Sequence, residues 1–283
     1  MPNAIGFVDD TSQYANRQML EFLMNFVDTN GWTILESDLV NAGTRYWIAE
    51  GPGYIGPDGP VRVYIGMRSY QDVGSDYYNL SVATFTGYVN GNAFTLQPGY
   101  VESGVPAHNQ RIDYWASVND RRLTFALKVG TPVYEMGYAG FILPYATPRQ
   151  YPYPVLCGGM LGGVPATRFS DTAHSIPYRG NRSGMSLRWV SGAYVLPHAW
   201  PWSNGYMAGS QGLRPTGVYY SLPRIVLHDN AANVYGELDG IHYITGFNNA
   251  VENTLTIGGV NYVVVQDVWR TGFVDYVAMR LDP

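Results

Sequence analysis

Trp32-Thr33-Ile34-Leu35, Arg45-Tyr46-Trp47-Ile48, Val61-Arg62-Val63-Tyr64-Ile65 and the run from Tyr77 to Tyr88 follow one another along the chain, and their apolar side chains recur at a period of two. That period belongs to strands with one face turned to a core, and Pro52-Gly53, Asp58-Gly59 and Asn90-Gly91 are turn signals between them. On the N-terminal side the period is 3.6 instead. Met19, Leu20, Leu23, Phe26 and Val27 line one face of a helix, Asp9-Asp10-Thr11-Ser12 offers several N-caps, and Asn30-Gly31 supplies a residue suited to the left-handed conformation at its end. On the C-terminal side the alternation continues through Ile112 to Val118 and Arg122 to Val129, joined by the short loop Asn119-Asp120-Arg121. The first half therefore reads as a helix packed on an antiparallel meander.

Phe141 to Leu161 differs in kind: Leu143-Pro144-Tyr145, Thr147-Pro148 and Tyr151-Pro152-Tyr153-Pro154 precede Cys157-Gly158-Gly159. Each proline removes a ladder donor, so this density of prolines predicts an extended connector rather than central strands. Beyond it, strand candidates at Met185 to Val190 and Ala193 to Leu196 sit in an irregular stretch, Arg168 to Pro215, that also holds Trp200-Pro201-Trp202. Regular alternation returns at Val218 to Leu227, Tyr235 to Thr245, Asn253 to Ile257, Asn261 to Val268 and Tyr276 to Leu281, with Gly258-Gly259 a strong two-residue hairpin signal. No helical pattern separates these strands, which excludes a βαβ array. The expected organisation is mainly β with an N-terminal helix: residues 1–140 as helix plus antiparallel sheet, 141–165 as a Pro/Gly/Tyr-rich connector, and 166–283 as a β-sandwich or barrel-like domain with long loops.

Charged residues are 14% of the 283, against roughly 25% in an ordinary globular chain, whereas aromatics are also 14%, with 24 tyrosines. The net charge of −5 and the lack of any Lys/Arg run argue against nucleic-acid binding. Lys128 is the only lysine; the other basic residues are arginines, which suit planar, partly desolvated contacts. Together with the Tyr and Trp content this matches protein–protein interfaces, although a Tyr-rich β surface produces the same statistics without a partner. The single cysteine, Cys157, has no intramolecular disulfide partner and reads as a buried small hydrophobe. No basic segment followed by an apolar one opens the chain, and no 18-residue apolar stretch occurs. The expectation is a chain made in the cytoplasm that neither carries a cleaved signal nor spans a membrane.

Catalysis requires groups that converge. The nearest approach to a metal-ligating set is His228-Asp229 with Glu237, Asp239 and His242. A strand puts Glu237 and Asp239 on one face and His242 on the other, so the set does not close on one ion without a bulge; the alternative is that Gly236 to Gly240 is a turn and strand start whose carboxylates cap backbone donors. Ala208-Gly209-Ser210-Gln211-Gly212 lacks the first glycine of a nucleophile elbow and the helix behind it. Ser170-Asp171 with His174 has the residue types of a triad, but in a loop. Glycine-rich pieces such as Gly158-Gly159 lack the context of a phosphate cradle. The expectation is no catalytic, cofactor-binding or metal-ligating residue, and no small-molecule substrate.

Several stretches, in order and spanning nearly the whole chain, resemble a family of phage and prophage virion proteins encoded among tail genes. They are the helix ending in Thr29-Asn30-Gly31-Trp32; Val63 to Tyr70 with Asp76-Tyr77-Tyr78-Asn79; Phe85-Thr86-Gly87-Tyr88 with Gln97-Pro98-Gly99; Tyr114-Trp115 with Asn119-Asp120-Arg121-Arg122; Gly140 to Gly159; Asn233 to Gly240; and Arg270-Thr271. The resemblance is weakest from Arg168 to Pro215. It implies a structural component of the virion tail, made in the bacterial host cytoplasm, at the baseplate or around the tube of a contractile tail, whose partners are other tail or baseplate proteins and copies of itself. It implies no catalytic residue. Trp200, Trp202, Tyr151, Tyr153 and Tyr206 are then the interface candidates, with the helix-plus-meander half docked on the tail core or a symmetry mate and the loops of residues 168–215 wedged between neighbours. Two other readings compete: a carbohydrate-binding receptor module in which the same tryptophans and tyrosines stack on host glycans, and a cell-surface polysaccharide hydrolase, which lacks a paired-carboxylate motif.

Overall fold

The alternating stretches fold as antiparallel strands. The computed structural model describes residues 2–130, 133–145, 154–171, 174–179, 184–188, 192–204, 220–229, 233–268 and 272–281. In chain order its elements are β1 (Asn3–Val8), α1 (Ala15–Asp28), β2 (Thr33–Asp38), β3 (Tyr46–Gly56), β4 (Gly59–Asp72), β5 (Tyr77–Phe85), β6 (Val101–Val105), β7 (Ile112–Val118), β8 (Arg122–Gly130), β9 (Val133–Phe141) and β10 (Leu143–Pro144). They continue as β11 (Val155–Gly158), β12 (Met185–Arg188), β13 (Tyr194–Val195), β14 (His198–Trp200), β15 (Arg224–His228), β16 (Val234–Ile244), β17 (Thr254–Ile257), β18 (Val260–Gln266) and β19 (Tyr276–Arg280). The protein is mainly β, and the described residues form one N-terminal α-helix and three antiparallel sheets in a sandwich-like arrangement.

The meander sheet, β2-β3-β4-β5-β6, runs in chain order, with short connections up to β5 and a longer one, residues 86–100, before β6. The central sheet has the order β1-β7-β8-β9-β11-β12-β13, and the third has β14-β15-β16-β19-β18-β17 with β10 added beside β16. Helix α1 lies over the meander, and its buried face (Met19, Leu20, Leu23, Phe26, Val27) is the stripe its period predicts. Removing each such side chain from water contributes about 1.5–3 kcal/mol. The Trp47 indole donates to the Leu20 carbonyl at 3.1 Å, joining β3 to the helix. One apolar core is continuous through Leu20, Ile65, Phe125, Tyr138, Leu187, Leu227, Val263 and Met279, side chains drawn from the helix and all three sheets.

Several expectations are corrected in detail. The helix begins at Ala15 without a side-chain cap; Tyr14 precedes it at φ 65°, and Asp10 instead accepts the Ser12 N–H at 2.9 Å in a turn before it. Its far end follows the sequence, with Gly31 at φ 89° and the Trp32 N–H returning to the Val27 carbonyl at 3.2 Å. Pro52-Gly53 is not a turn but an irregularity within β3, between Gly51 and Tyr54. Gly53 holds φ 72° there, and a side chain would collide with the Val61 carbonyl, so only glycine admits the extra residue. Strand β1, unmarked by any alternation long enough to read, pairs with the distant β7 from Asn3↔Ser117 to Val8↔Ile112.

The segment expected as a connector carries two strands: β10 pairs with β16 and β11 with β9, while residues 146–153 lie outside those described. β12 and β13 then extend the central sheet, so strand order does not divide at 141–165. Proline at Pro144 is tolerated because β10 is only two residues long. Gly258-Gly259 behaves as read: both residues are left-handed (φ 61° and 79°) and close the β17–β18 hairpin.

Candidate functional site

The β7–β8 turn, Asn119 to Arg122, is where the three sheets meet. From the meander side the Trp32 indole donates to the Asn119 carbonyl at 2.9 Å, and the bulged Gly53 N–H donates to the Asp120 carbonyl at 2.7 Å. Within the central sheet the Phe141 N–H donates to the Arg121 carbonyl at 2.9 Å. The third sheet supplies Asp239, on β16, whose Oδ2 accepts from Asn119 Nδ2 at 2.7 Å and Arg121 Nη2 at 3.2 Å, with Arg122 Nε 3.9 Å away. Arg122 is fully buried, and its Nη1 donates to the Ser117 carbonyl (3.1 Å), Ser117 Oγ (3.2 Å) and Thr124 Oγ1 (3.1 Å). Burial opposes the charge of Asp239, but Arg122, Asn119 and Arg121 together hold its carboxyl below the usual range. A side chain on Gly240 would strike the Arg122 guanidinium, and that glycine stands at φ 77°.

A second buried joint lies between β9 and the loop at 174–179. Glu135 Oε1 and His174 Nε2 are 2.7 Å apart and both side chains are inaccessible to solvent. The same loop reaches the third sheet through the Ile176 N–H, which donates to Asp267 at 3.2 Å, and through Arg179, whose Nη1 lies 3.1 Å from Asp267 and 2.9 Å from Asp275. Burial pushes the Glu135 carboxyl up to about 7 against the pull of His174. Burial is the largest single influence on His174 and disfavours the imidazolium, but the hydrogen bond to Glu135 and the charges of Glu135, Asp267 and Asp171 together outweigh it and raise His174 above its ordinary value. Both groups are thus held above their ordinary values. Alternation does contain a trace of this pair: Glu135 interrupts an otherwise apolar strand, Val133 to Phe141. Its partner, far away in a loop, leaves no such trace.

These joints decide the fate of the residues singled out in the sequence. Glu237 accepts from Arg224 and from the Tyr145 hydroxyl, Asp239 belongs to the three-sheet joint, and both lie inside β16 rather than at a turn. His228 Nε2 lies 2.8 Å from Ser203 Oγ, and His242 is packed edge-on against Tyr262. The set His228, Asp229, Glu237, Asp239 and His242 is therefore not gathered, and among the described residues no group of three His, Cys, Asp or Glu is placed to hold a metal. His174 turns to Glu135, while Asp171 accepts the Arg168 N–H. Ser210 lies outside the described residues. Cys157 is buried, with Sγ 3.4 Å from the Val82 carbonyl, and burial drives its thiol pKa far up, which removes it as a nucleophile.

Of the interface candidates, Trp202 is half-buried: its ring meets Tyr243 edge-on at 5.2 Å and its indole N–H donates to the Val274 carbonyl at 2.7 Å. Trp200 is partly exposed on the edge strand β14, opposite Val226. Tyr151, Tyr153 and Tyr206 lie outside the described residues. No helix among the described residues is long and apolar enough to cross a membrane. No protein-family model matches the chain, and no curated protein matches it.

Proposed function

We propose that the chain is a structural component of a bacteriophage tail, acting through assembly contacts with copies of itself and with other tail or baseplate proteins. The observation that supports this best is the inverted placement of charge and aliphatic surface. Guanidinium–carboxylate pairs are turned inward at Arg122–Asp239, Arg179–Asp267 and Arg68–Glu102. Meanwhile Ile55, Val89 and Leu96 stand exposed at one end of the meander sheet, and Val40 and Val73 at the other. Ile55 is 94% exposed at the β3–β4 hairpin tip and Val40 91% exposed in the β2–β3 loop, positions where a neighbour would cover them. The resemblance to virion proteins encoded among tail genes, carried by the motifs quoted above, supplies the setting.

The test is cryo-electron microscopy of virions that carry this protein. The expected result is density in a defined ring of the tail or baseplate, with the two ends of the meander sheet against neighbouring subunits. Density restricted to peripheral appendages, or absent from the virion, overturns the proposal.

A further inference from the structure

A concavity of about 420 Å³ opens between β1, the turn at residues 9–13, α1 and β7, away from both buried joints. Its size falls within the range of small-ligand sites, about 300–1,000 Å³. One wall is aromatic: Phe22 and Tyr114 stand 4.2 Å apart, and Phe7 on the edge strand is half exposed beside them. The opposite requirement, polar groups that can be recognised, is met by one stripe of the helix. Gln18, Glu21, Phe22 and Asn25 recur at spacings of three and four residues and line the same concavity.

The polar groups are available. The side chains of Gln13, Glu21 and Asn25 have no hydrogen-bond partner among the described residues. Gln18 is oriented by the N–H groups of Asp9 and Asp10, which donate to its Oε1 at 3.1 and 3.0 Å, leaving its amide nitrogen unengaged. Asp10 is held ionised mainly by the Ser12 hydroxyl. Two carboxylates and no basic side chain line the concavity, and the Arg111 guanidinium that lies over the Phe7 ring at 3.9 Å is itself paired with Asp113, so the lining offers an anion no unpaired cation. Three carboxamides offer donors as well as acceptors, which a cation does not need and a ring of hydroxyls does. An aromatic wall matches the apolar face of a sugar ring.

We propose that this concavity is a binding site for a neutral saccharide. It does not rest on the assembly role proposed above and is tested on the isolated full chain, so the two stand or fall separately. It also places glycan contact on the helix side of the molecule, apart from Trp200 and Trp202.

The experiment is saturation-transfer NMR followed by titration with a panel of neutral hexoses, N-acetylhexosamines and their disaccharides. The variants are Glu21→Ala with Asn25→Ala, exposed helix positions where alanine is favourable, and Ile55→Ser as a remote control. The expected result is saturable binding of at least one sugar, weakened by about tenfold or more in the double variant, a loss of about 1.4 kcal/mol, and unchanged in the control. No transfer to any sugar in the panel, or transfer that survives the double variant, overturns the proposal. So does binding of argininamide in place of sugars, lost with Glu21→Ala, which would assign the concavity to a cationic side chain of a partner.

Discussion

The two buried joints fasten the central sheet to the third sheet by opposite chemistry. At the β7–β8 turn the cations are arginines, which stay charged at any pH a protein meets, and Asp239 is held below its ordinary value. At the Glu135–His174 pair both members titrate, and both are held above their ordinary values. A carboxyl with a depressed folded-state pKa contributes stability that is present above the ordinary carboxylate range and lost as pH falls. Groups with raised values do the reverse: their contribution is full in acid and lost as pH rises through the folded value. The first joint is therefore weakened by acid and the second by base. Buried charge in this protein is not one kind of feature, and its sign of response depends on whether neighbouring charges and hydrogen bonds outweigh burial, as they do at Asp239 and do not at Glu135.

Breaking the first joint has the largest expected effect. Asp239→Ala leaves the fully buried Arg122 guanidinium without its carboxylate, and urea unfolding should show a loss on the order of 3–5 kcal/mol. Asp239→Asn, which keeps the shape but not the charge, should lose less. Gly240→Ala disturbs the same joint through sterics and a left-handed backbone, with an expected loss of about 1–3 kcal/mol by the same measurement.

The second joint is sharpened by pH. Between about 4.5 and 7 the folded chain holds a proton on Glu135 that the unfolded chain has released, so stability from this pair falls as pH rises through about 7. Glu135→Gln, which is neutral throughout, should flatten that fall by on the order of 1–3 kcal/mol when unfolding is compared at pH 5.5 and 8. An unchanged pH slope would show that the pair does not govern it. The smallest effect belongs to the exposed end of the meander. Ile55→Ser should change unfolding stability by no more than about 0.5 kcal/mol, yet reduce incorporation into virions if that tip is a contact.

Much of the meander half was legible because its information is local. A period of 3.6 followed by a period of two, punctuated by Gly31 and Asp58-Gly59, specifies a helix and then hairpins whose pairing needs no distant partner, whereas Asn90-Gly91 lies within the long 86–100 connection and gave no sign of β6. Gly258-Gly259 was legible for the same reason. The candidate chemistry was legible only as residue types. Glu237 and Asp239 stand out in the sequence as acids, but which donor each meets depends on chain brought in from Arg224 on one side and Asn119 and Arg121 on the other.

By itself the sequence determined a β-rich chain with one amphipathic helix, an antiparallel meander and a low charge content. These follow from side-chain periodicity and backbone propensity, properties that act over a few residues. The tertiary structure alone decided that β1 closes onto β7, that β10 and β11 join different sheets across a proline-rich segment, and that Arg122 and Asp239 meet. Those pairings join segments far apart along the chain. They are selected by burial and by satisfaction of polar groups in the assembled core, which no local pattern records.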